Sequence, residues 1–201
     1  MRGTCRARRY NWGVSIHSDH PFATAAADRS PLRRFRGRMV APVSVWAAGE
    51  GRTRAGWTVS SFLVADGEPG EVLGLVDTDS DLADRLRDPD ADPVLAVSLL
   101  GWGDRALADA FAGQAPAPGG VFRLGSWTST PWGPALEGSA GWVGARLRPE
   151  PLVHAGWAML VRAVVERVEV GVLPADGLLA HVRGRYRALG DDARGGLPAL
   201  D

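Results

Sequence analysis

Short apolar runs, each ended by a polar turn, recur along most of the chain. They are rich in valine, leucine and alanine, as expected for strands that bury at least one face. A dense turn signal, Asp66-Gly67-Glu68-Pro69-Gly70, separates two of them and predicts a β-hairpin. The predicted strands are residues 40–48, 55–65, 72–76, 94–100, 142–147, 158–170 and 179–188.

The run at residues 158–170 fits two periodicities. Leu160, Val161, Val164, Val165 and Val168 would form one face of a helix. Valine, however, is branched at Cβ and favours strands, and the charges of this run partly alternate with its valines. We therefore expect a strand here.

Three segments carry helix signals instead. Residues 32–39 follow Ser30 and Pro31, which suit the N-cap and the first helical position. Ser80 and Asp104 can cap two further short helices, and Gly113 is placed to end the second of them. The stretches 114–120 and 127–134 are expected to be irregular loops.

Strands outnumber helices and do not alternate regularly with them. This pattern favours an antiparallel barrel or sandwich over a doubly wound parallel sheet. A length of 201 residues with 45% hydrophobic residues is enough for one buried core. We expect one domain over residues 29–190, a disordered N-terminal arm at 1–28 and a flexible C-terminal tail at 191–201.

The composition argues against several classes of partner. The 23 cationic side chains, all arginine, balance 23 acidic ones, so no nucleic acid partner is expected. No apolar run is long enough to span a bilayer, and none follows the N-terminal arginines as a secretory signal would require. The single cysteine, Cys5, is compatible with a reducing compartment. These features predict a cytoplasmic protein without a membrane partner.

No set of side chains points to catalysis. His17 and His20 have metal-ligand spacing but lie in the predicted arm, and His154 and His181 are predicted to be surface or packing residues. The sequence has no Gly-x-Ser-x-Gly elbow, no Walker loop and no Gly-x-Gly-x-x-Gly motif after a strand. The catalytic residues stay unknown, no metal is expected, and a bound cofactor would have to carry any chemistry.

Two polar segments are candidate binding sites. Thr58, Ser60 and Ser61 place hydroxyls in an apolar strand, where they could contact a ligand or lie on an exposed face. Residues 77–81 precede a predicted helix whose N-terminus could bind a phosphate, although their aspartates favour a simple N-cap. The arginines of the first predicted helix could hold an anion, but a solvated face is the favoured interpretation: Arg33, Arg34, Arg36 and Arg38.

The segment Gly56-Trp57-Thr58-Val59-Ser60-Ser61-Phe62 resembles a strand of the flavin-reductase-like, FMN-binding split-barrel family. Further segments resemble this family in the order in which they occur there. They are residues 39–46, 72–80, 94–100, 107–113 and 183–187. The resemblance covers about residues 30 to 189, nearly the whole predicted domain.

The resemblance implies a mainly β fold, a six-stranded antiparallel Greek-key split barrel with short flanking helices. It also implies a homodimer with FMN near the subunit interface. Contacts to the isoalloxazine ring and ribityl chain are then expected from Thr58, Val59, Ser60 and Ser61. The ribityl-phosphate end would lie at Asp77, Thr78 and Ser80, and the border of the ring or of the dimer interface at Arg185 and Tyr186.

One segment departs from the family pattern. Family reductases often carry Gly-Asp-His in the strand after the long loop, where the histidine helps to receive the nicotinamide nucleotide. This chain has Gly156-Trp157-Ala158 there instead. The sequence therefore supports flavin binding better than it supports the use of NAD(P)H.

Three functions stay open at this point. The resemblance implies an FMN-binding, or FAD-binding, NAD(P)H-dependent flavin reductase that supplies a second flavin or a partner oxygenase. The alternative is a non-enzymatic FMN carrier or sensor on the same barrel, which the absent Asp and His favour. The third is a barrel without flavin that serves as a dimeric interaction module.

Overall fold

The computed structural model describes residues 30–190. The arm expected at 1–28 and the tail expected at 191–201 lie outside the described residues. The described part of the chain has three short α-helices: α1 (Pro31–Arg36), α2 (Asp81–Arg87) and α3 (Arg105–Phe111). Ser30 and Ser80 cap the first two, as predicted. None of the helices in this part is long and apolar enough to cross a membrane.

Between residues 30 and 190 the structure is mainly strand, and every strand pairing is antiparallel. The predicted fold class is thus confirmed, but the six strands of the prediction are too few. The strands are β1 (Ala41–Pro42), β2 (Ser44–Ala48), β3 (Ala55–Val59), β4 (Phe62–Ala65), β5 (Glu71–Asp77), β6 (Val94–Leu99), β7 (Trp127–Thr130), β8 (Gly133–Leu136), β9 (Gly141–Leu147), β10 (Val153–Ala155), β11 (Ala158–Val170), β12 (Leu178–Val182) and β13 (Arg185–Leu189).

Several predicted strands are divided because the chain changes sheet or edge within them. At Val43 it passes from a small sheet, β1-β12-β13, into a larger one that contains β2. At Arg183-Gly184 it turns back on itself with positive φ at both residues, the geometry of a tight hairpin turn. Residues 127–134, predicted to be irregular, form the β7–β8 hairpin instead, because their backbone groups pair with each other.

The larger sheet must curl because its two edge strands are consecutive in the chain. Its order is β3-β2-β6-β9-β11-β5-β4, with β10 added to β11. Only Ser60 and Ser61 connect β3 at one edge to β4 at the other. A two-residue link spans at most about 10 Å, so the two edges have to meet there. We call this meeting point the seam.

Two hydrophobic clusters stabilise this arrangement. The first fills the inside of the curled sheet around the fully buried Trp46 and is closed by Leu82 and Leu86 of α2. The second lies between the small sheet, α3 and β8 and includes Phe111 and Leu179. The clusters fix α3 and the small sheet beside the seam.

Two local predictions have different outcomes. The ambiguous run at residues 158–170 is the strand β11, which pairs with β5, β9 and β10, so the strand interpretation is confirmed. Asp104 precedes α3, but its side chain does not cap that helix and accepts the backbone N–H of Gly101 at 2.8 Å instead. A preceding 3₁₀ turn, residues 102–104, directs the carboxylate backwards to that amide.

Candidate functional site

The seam carries the two serines that the sequence singled out. Ser60 and Ser61 lie between strands, not inside one as predicted, because β3 and β4 belong to opposite edges of the sheet. The Ser61 carbonyl accepts the N–H of Leu75 at 2.9 Å, which places the seam beside the last residues of β5. Both serines are half-buried, so a ligand can still reach them.

Helix α1 approaches the seam from one side. A terminal nitrogen of Arg36 donates to Ser61 Oγ at 3.1 Å. The guanidinium of Arg33, one turn earlier, lies 5.3 Å from the ring centroid of Trp157, a cation–π contact. Trp157 is 84% exposed and immediately precedes Ala158, the β11 residue that pairs with Asp77 at the end of β5. The helix therefore spans the region between Ser61 and the β10–β11 hairpin.

Helix α3 and the small sheet close the other side of the seam. The Thr58 hydroxyl donates to the Ala108 carbonyl of α3 at 2.7 Å. The next residue, Asp109, lies close enough to Tyr186 for its negative charge to act on the phenol. The ring of Tyr186 in turn packs edge-on against His181, with centroids 5.8 Å apart. The charge of Arg36 also acts on His181, so α1 and the small sheet lie near each other beside the seam.

The protonation states of these two residues follow from burial. Burial and then the negative charge of Asp109 raise the pKa of Tyr186, so its hydroxyl stays protonated. Burial and then the positive charge of Arg36 lower the pKa of His181. At neutral pH the imidazole is thus uncharged and can both donate and accept a hydrogen bond.

The loop after β5 lies beside the seam, but its polar groups form hydrogen bonds with one another and with α2. The Ser80 hydroxyl donates to the Asp77 carbonyl at 2.7 Å and accepts the Ala83 N–H at 3.1 Å. The Asp77 carboxylate accepts a hydrogen bond from the N–H of Asp79 at 3.0 Å. The Thr78 carbonyl accepts one from the guanidinium of Arg87 at 2.9 Å. Ser80 is buried as the N-cap of α2.

The remaining predicted site residues have different settings. Val59 is buried in the first cluster, so only its backbone could face a ligand at the seam. Arg185 is exposed on β13 next to Tyr186, on the opposite face of the strand. Among residues 30–190 no group of three or more His, Cys, Asp or Glu side chains could hold a metal ion.

The donors at the seam suit a planar ligand with polar edges and an anionic end. Two half-buried serine hydroxyls and the guanidinium of Arg36 lie there, and the ring of Trp157 packs against Arg33 of the same helix. An isoalloxazine ring with carbonyl and nitrogen acceptors, joined to a phosphate, has these properties. The residues present therefore fit a flavin.

Comparison with known proteins agrees with the fold. The model of the flavin reductase like domain matches residues 36–190. This chain belongs to the flavin-reductase-like family. Comparison with curated proteins gives no significant match.

Solved structures of flavin reductases share this family's split barrel. The NADH:FAD oxidoreductase SgcE6 of Streptomyces globisporus, in complex with NAD and FAD fragments, is 26% identical with a TM-score of 0.68, over 81% of this chain and 93% of that chain. The styrene monooxygenase flavin reductase SMOB of Pseudomonas putida S12 is 20% identical with a TM-score of 0.66, over 79% and 96%. The flavin reductase component BorF of a bacterial two-component tryptophan halogenase is 21% identical with a TM-score of 0.66, over 80% and 97%.

Three residues at the border of this flavin-reductase-like seam were missed or set aside by the sequence interpretation. Arg36 was assigned to a solvated face, His181 to the surface or to packing, and Asp109 was not considered. The available signal for Arg36 was its spacing of three from Arg33, which puts both on one side of a helix. Asp109 carries no local signal, because its contact with Tyr186 joins residues far apart in the chain.

Proposed function

We propose that this protein is an NAD(P)H-dependent flavin reductase that binds FMN, or FAD, at the seam. The observation that carries the proposal is the position of Ser60, Ser61 and Arg36 at the meeting point of the two sheet edges, within the region that matches the family model. The SgcE6 enzyme, similar in fold and sequence, is named as an NADH:FAD oxidoreductase. A bound flavin would supply the hydride acceptor, and the chain would bind and orient it.

The residues at the seam have distinct proposed roles. The Ser60 and Ser61 hydroxyls and the backbone of the link hydrogen-bond the edge of the ring, and Val59 contributes its backbone alone. The Thr58 hydroxyl is already bonded to Ala108, so Thr58 keeps α3 against the seam. Tyr186 borders the ring, while Arg185 lies outside the seam.

We further propose a homodimer whose interface is the outer face of the curled sheet. Leu73 and Leu75 alternate with buried residues of β5 and therefore point away from the core. The register aligns Leu75 with Leu160 and Val153, and Leu73 with Leu63, which is 72% exposed. Ser61 adjoins Leu75, so a second copy on this apolar face would place the flavin at the rim of the interface.

A partner oxygenase would consume the reduced flavin. BorF and SMOB are named as flavin reductases of a two-component halogenase and of a styrene monooxygenase. An open seam lined by half-buried serines suits a flavin that is bound, reduced and released.

The alternative, a flavin carrier without reductase activity, rests on the β10–β11 hairpin. Its tip, Gly156-Trp157, carries the exposed tryptophan where family reductases often have Asp-His. His154 is two residues away, on the exposed strand β10. In this case the protein would hold flavin at the same seam without accepting a hydride from NAD(P)H.

One experiment separates these functions. The purified protein is mixed with FMN or FAD, and the oxidation of NADH or NADPH is followed anaerobically together with the flavin absorbance. Bleaching at a catalytic rate with either nucleotide is the expected result. Flavin that is retained on gel filtration but not bleached supports the carrier, and neither binding nor turnover of any flavin contradicts both.

Replacing Ser60 and Ser61 by alanine tests the location of the site. Each lost hydrogen bond contributes about 0.5–1.5 kcal/mol, so the double variant should bind flavin roughly 5- to 140-fold more weakly, while its unfolding temperature should not change. The exposed Ser129→Ala variant is the matched control. Unchanged flavin affinity in the double variant would place the site elsewhere.

A further inference from the structure

Two arginines of helix α1 contact the rest of the protein, whereas its apolar side chains face solvent. Arg36 contacts Ser61, and Arg33 lies over Trp157. Leu32 and Phe35, in contrast, are 76% and 66% exposed, and no residue of this helix is buried. Hydrophobic packing therefore does not explain why the arginine side faces the seam.

Arg33 and Arg36 also have no carboxylate partner within residues 30–190. The ion pairs of this region involve other arginines, such as Arg148 and Arg162, which both bind Glu71. Arg36 uses one nitrogen for Ser61, which leaves further N–H donors of its guanidinium. Two guanidinium groups three residues apart on a helix repel each other unless an anion lies between them.

The loop at residues 77–80, the other candidate for an anion, is unsuited to one. It carries Asp77 and Asp79, and Asp81 follows it. The N–H groups of Asp79 and Ser80 are bonded to Asp77, and the N–H of Ala83 is bonded to the Ser80 hydroxyl. A phosphate here would meet three carboxylates and few free donors.

We infer that Arg33 and Arg36, on the seam side of α1, form the subsite that holds the phosphate of a phosphorylated flavin, in place of the loop at residues 77–80. The inference rests on the proposed function, which it makes more specific. The flavin ring at Ser60 and Ser61 and the phosphate at α1 are then adjacent, because Arg36 contacts Ser61 directly. Guanidinium groups bind phosphate through paired, charge-assisted hydrogen bonds. The cation–π contact with Trp157 holds the guanidinium of Arg33 in place.

The test compares dissociation constants for riboflavin, FMN and FAD. Wild-type protein should bind FMN and FAD more tightly than riboflavin. Arg33→Gln and Arg36→Gln should each reduce this preference roughly 10-fold or more, the effect of a lost charged hydrogen bond. Riboflavin affinity, which reports contacts to the ring, should change much less.

Helix α1, the residues directly after it and the loop at residues 77–80 provide matched controls. Arg34→Gln and Arg38→Gln remove the same charge from exposed positions of this segment and should leave the preference for FMN unchanged. Asp79→Asn should leave it unchanged or increase it. Thermal unfolding of every variant verifies that it folds.

The outcomes separate this inference from the proposed function. Equal binding of riboflavin and FMN by the wild type, or equal losses in Arg34→Gln and Arg36→Gln, would overturn the subsite and leave flavin binding standing. A change confined to the KM of NADPH would overturn it as well. If the wild type binds no flavin, the proposed function fails, and the anion subsite is then tested with inorganic pyrophosphate. A rise in the unfolding temperature of the wild type with pyrophosphate that is lost in both Arg33→Gln and Arg36→Gln would support the subsite. No such rise in the wild type would overturn it.

Discussion

Glu71 shows how a single residue connects three strands. Its carboxylate, at the start of β5, accepts hydrogen bonds from Arg148 Nε at 2.9 Å and from Arg162 Nη2 at 3.0 Å. Arg162 belongs to β11, and Arg148 directly follows β9. The hydrogen bonds from Arg162 and then Arg148 lower the pKa of Glu71 from its ordinary value of 4.5 to about 2.

Because of this lowered pKa, the free energy of unfolding should depend on pH in the acidic range. Between pH 4.5 and 2 the unfolded chain binds a proton that the folded Glu71 does not, so the free energy of unfolding should fall as the pH falls through this window. Above pH 4.5 the contribution is fully present. Glu71→Gln should lower the unfolding temperature at pH 7 and flatten its decline in acid.

The matched control is Glu68→Gln, at an exposed carboxylate in the loop before β5. Thermal unfolding of the three proteins from pH 7 to pH 2 provides the comparison. An acid profile of Glu71→Gln that superimposes on that of the wild type would show that Glu71 is not the group responsible.

At the scale of elements, α2 illustrates how one side chain can suggest two roles. Ser80 was a candidate phosphate ligand, yet its hydroxyl satisfies the first turn of α2 and the end of β5. Helix α2 contributes Leu82, Ala83 and Leu86 to the core of the curled sheet. Loss of the cap would therefore affect the fold before it affects a ligand.

We accordingly expect Ser80→Ala to destabilise the protein by about 0.5–2 kcal/mol, the usual cost of losing an N-cap. Its ratio of FMN to riboflavin affinity should match that of the wild type. Chemical denaturation and flavin titration measure the two quantities, with Ser129→Ala as the neutral reference. A stable variant that has lost its preference for FMN would restore Ser80 as a phosphate ligand.

The packing of β5 on β2 depends on a position without a side chain. A Cβ at Gly74 would lie 2.4 Å from Cη2 of Trp46, which is fully buried. The indole thus occupies the space directly above the backbone of β5. The sequence around Gly74 does not indicate this contact, because Trp46 and Gly74 meet only when the sheet has curled.

Gly74→Ala should therefore cost about 1–3 kcal/mol, the range for overpacking a core. Gly67→Ala is the control, since a Cβ there would meet only the carbonyl oxygen of Pro69 at 3.5 Å, an ordinary contact. Denaturant unfolding of both variants tests the difference. Equal stability of the two would mean that Trp46 can move away without penalty.

At the scale of the whole molecule, closure of the sheet creates both the seam and an exposed apolar face. The face defined by Leu63, Leu73, Leu75, Leu160 and Val153 lies on the outside of β4, β5, β11 and β10. A face of this kind is unfavourable in water, which motivates the proposal that a second copy of the chain covers it. Since Ser61 lies beside it, dimerisation and flavin binding should be coupled.

The double substitution Leu63→Lys and Leu75→Lys should convert the expected dimer into a monomer, because buried lysine charges would lack partners in the interface. Flavin affinity should fall with it. Sedimentation velocity measures the oligomeric state. Val172→Lys, at an exposed apolar residue beyond the end of β11, is the control. Dissociation by Val172→Lys alone would move the interface to that end of the molecule.

The sequence was sufficient for features that depend on neighbours along the chain. Side-chain hydrogen bonds and β-branching act within a few residues of the chain. The sequence therefore predicted correctly the caps at Ser30 and Ser80, the hairpin around residues 66–70 and the strand β11. The family resemblance added the split barrel, which periodicity alone left as a barrel or a sandwich.

Tertiary structure decided the features that depend on strand order. Ser60 and Ser61 are read as mid-strand residues from their apolar neighbours, and only the pairing of β3 and β4 at opposite edges turns them into a seam. The approach of Arg36, His181 and Asp109 likewise joins segments more than 70 residues apart. Such contacts leave no periodic trace in a sequence, because they arise from how elements pack and not from the pattern within any one of them.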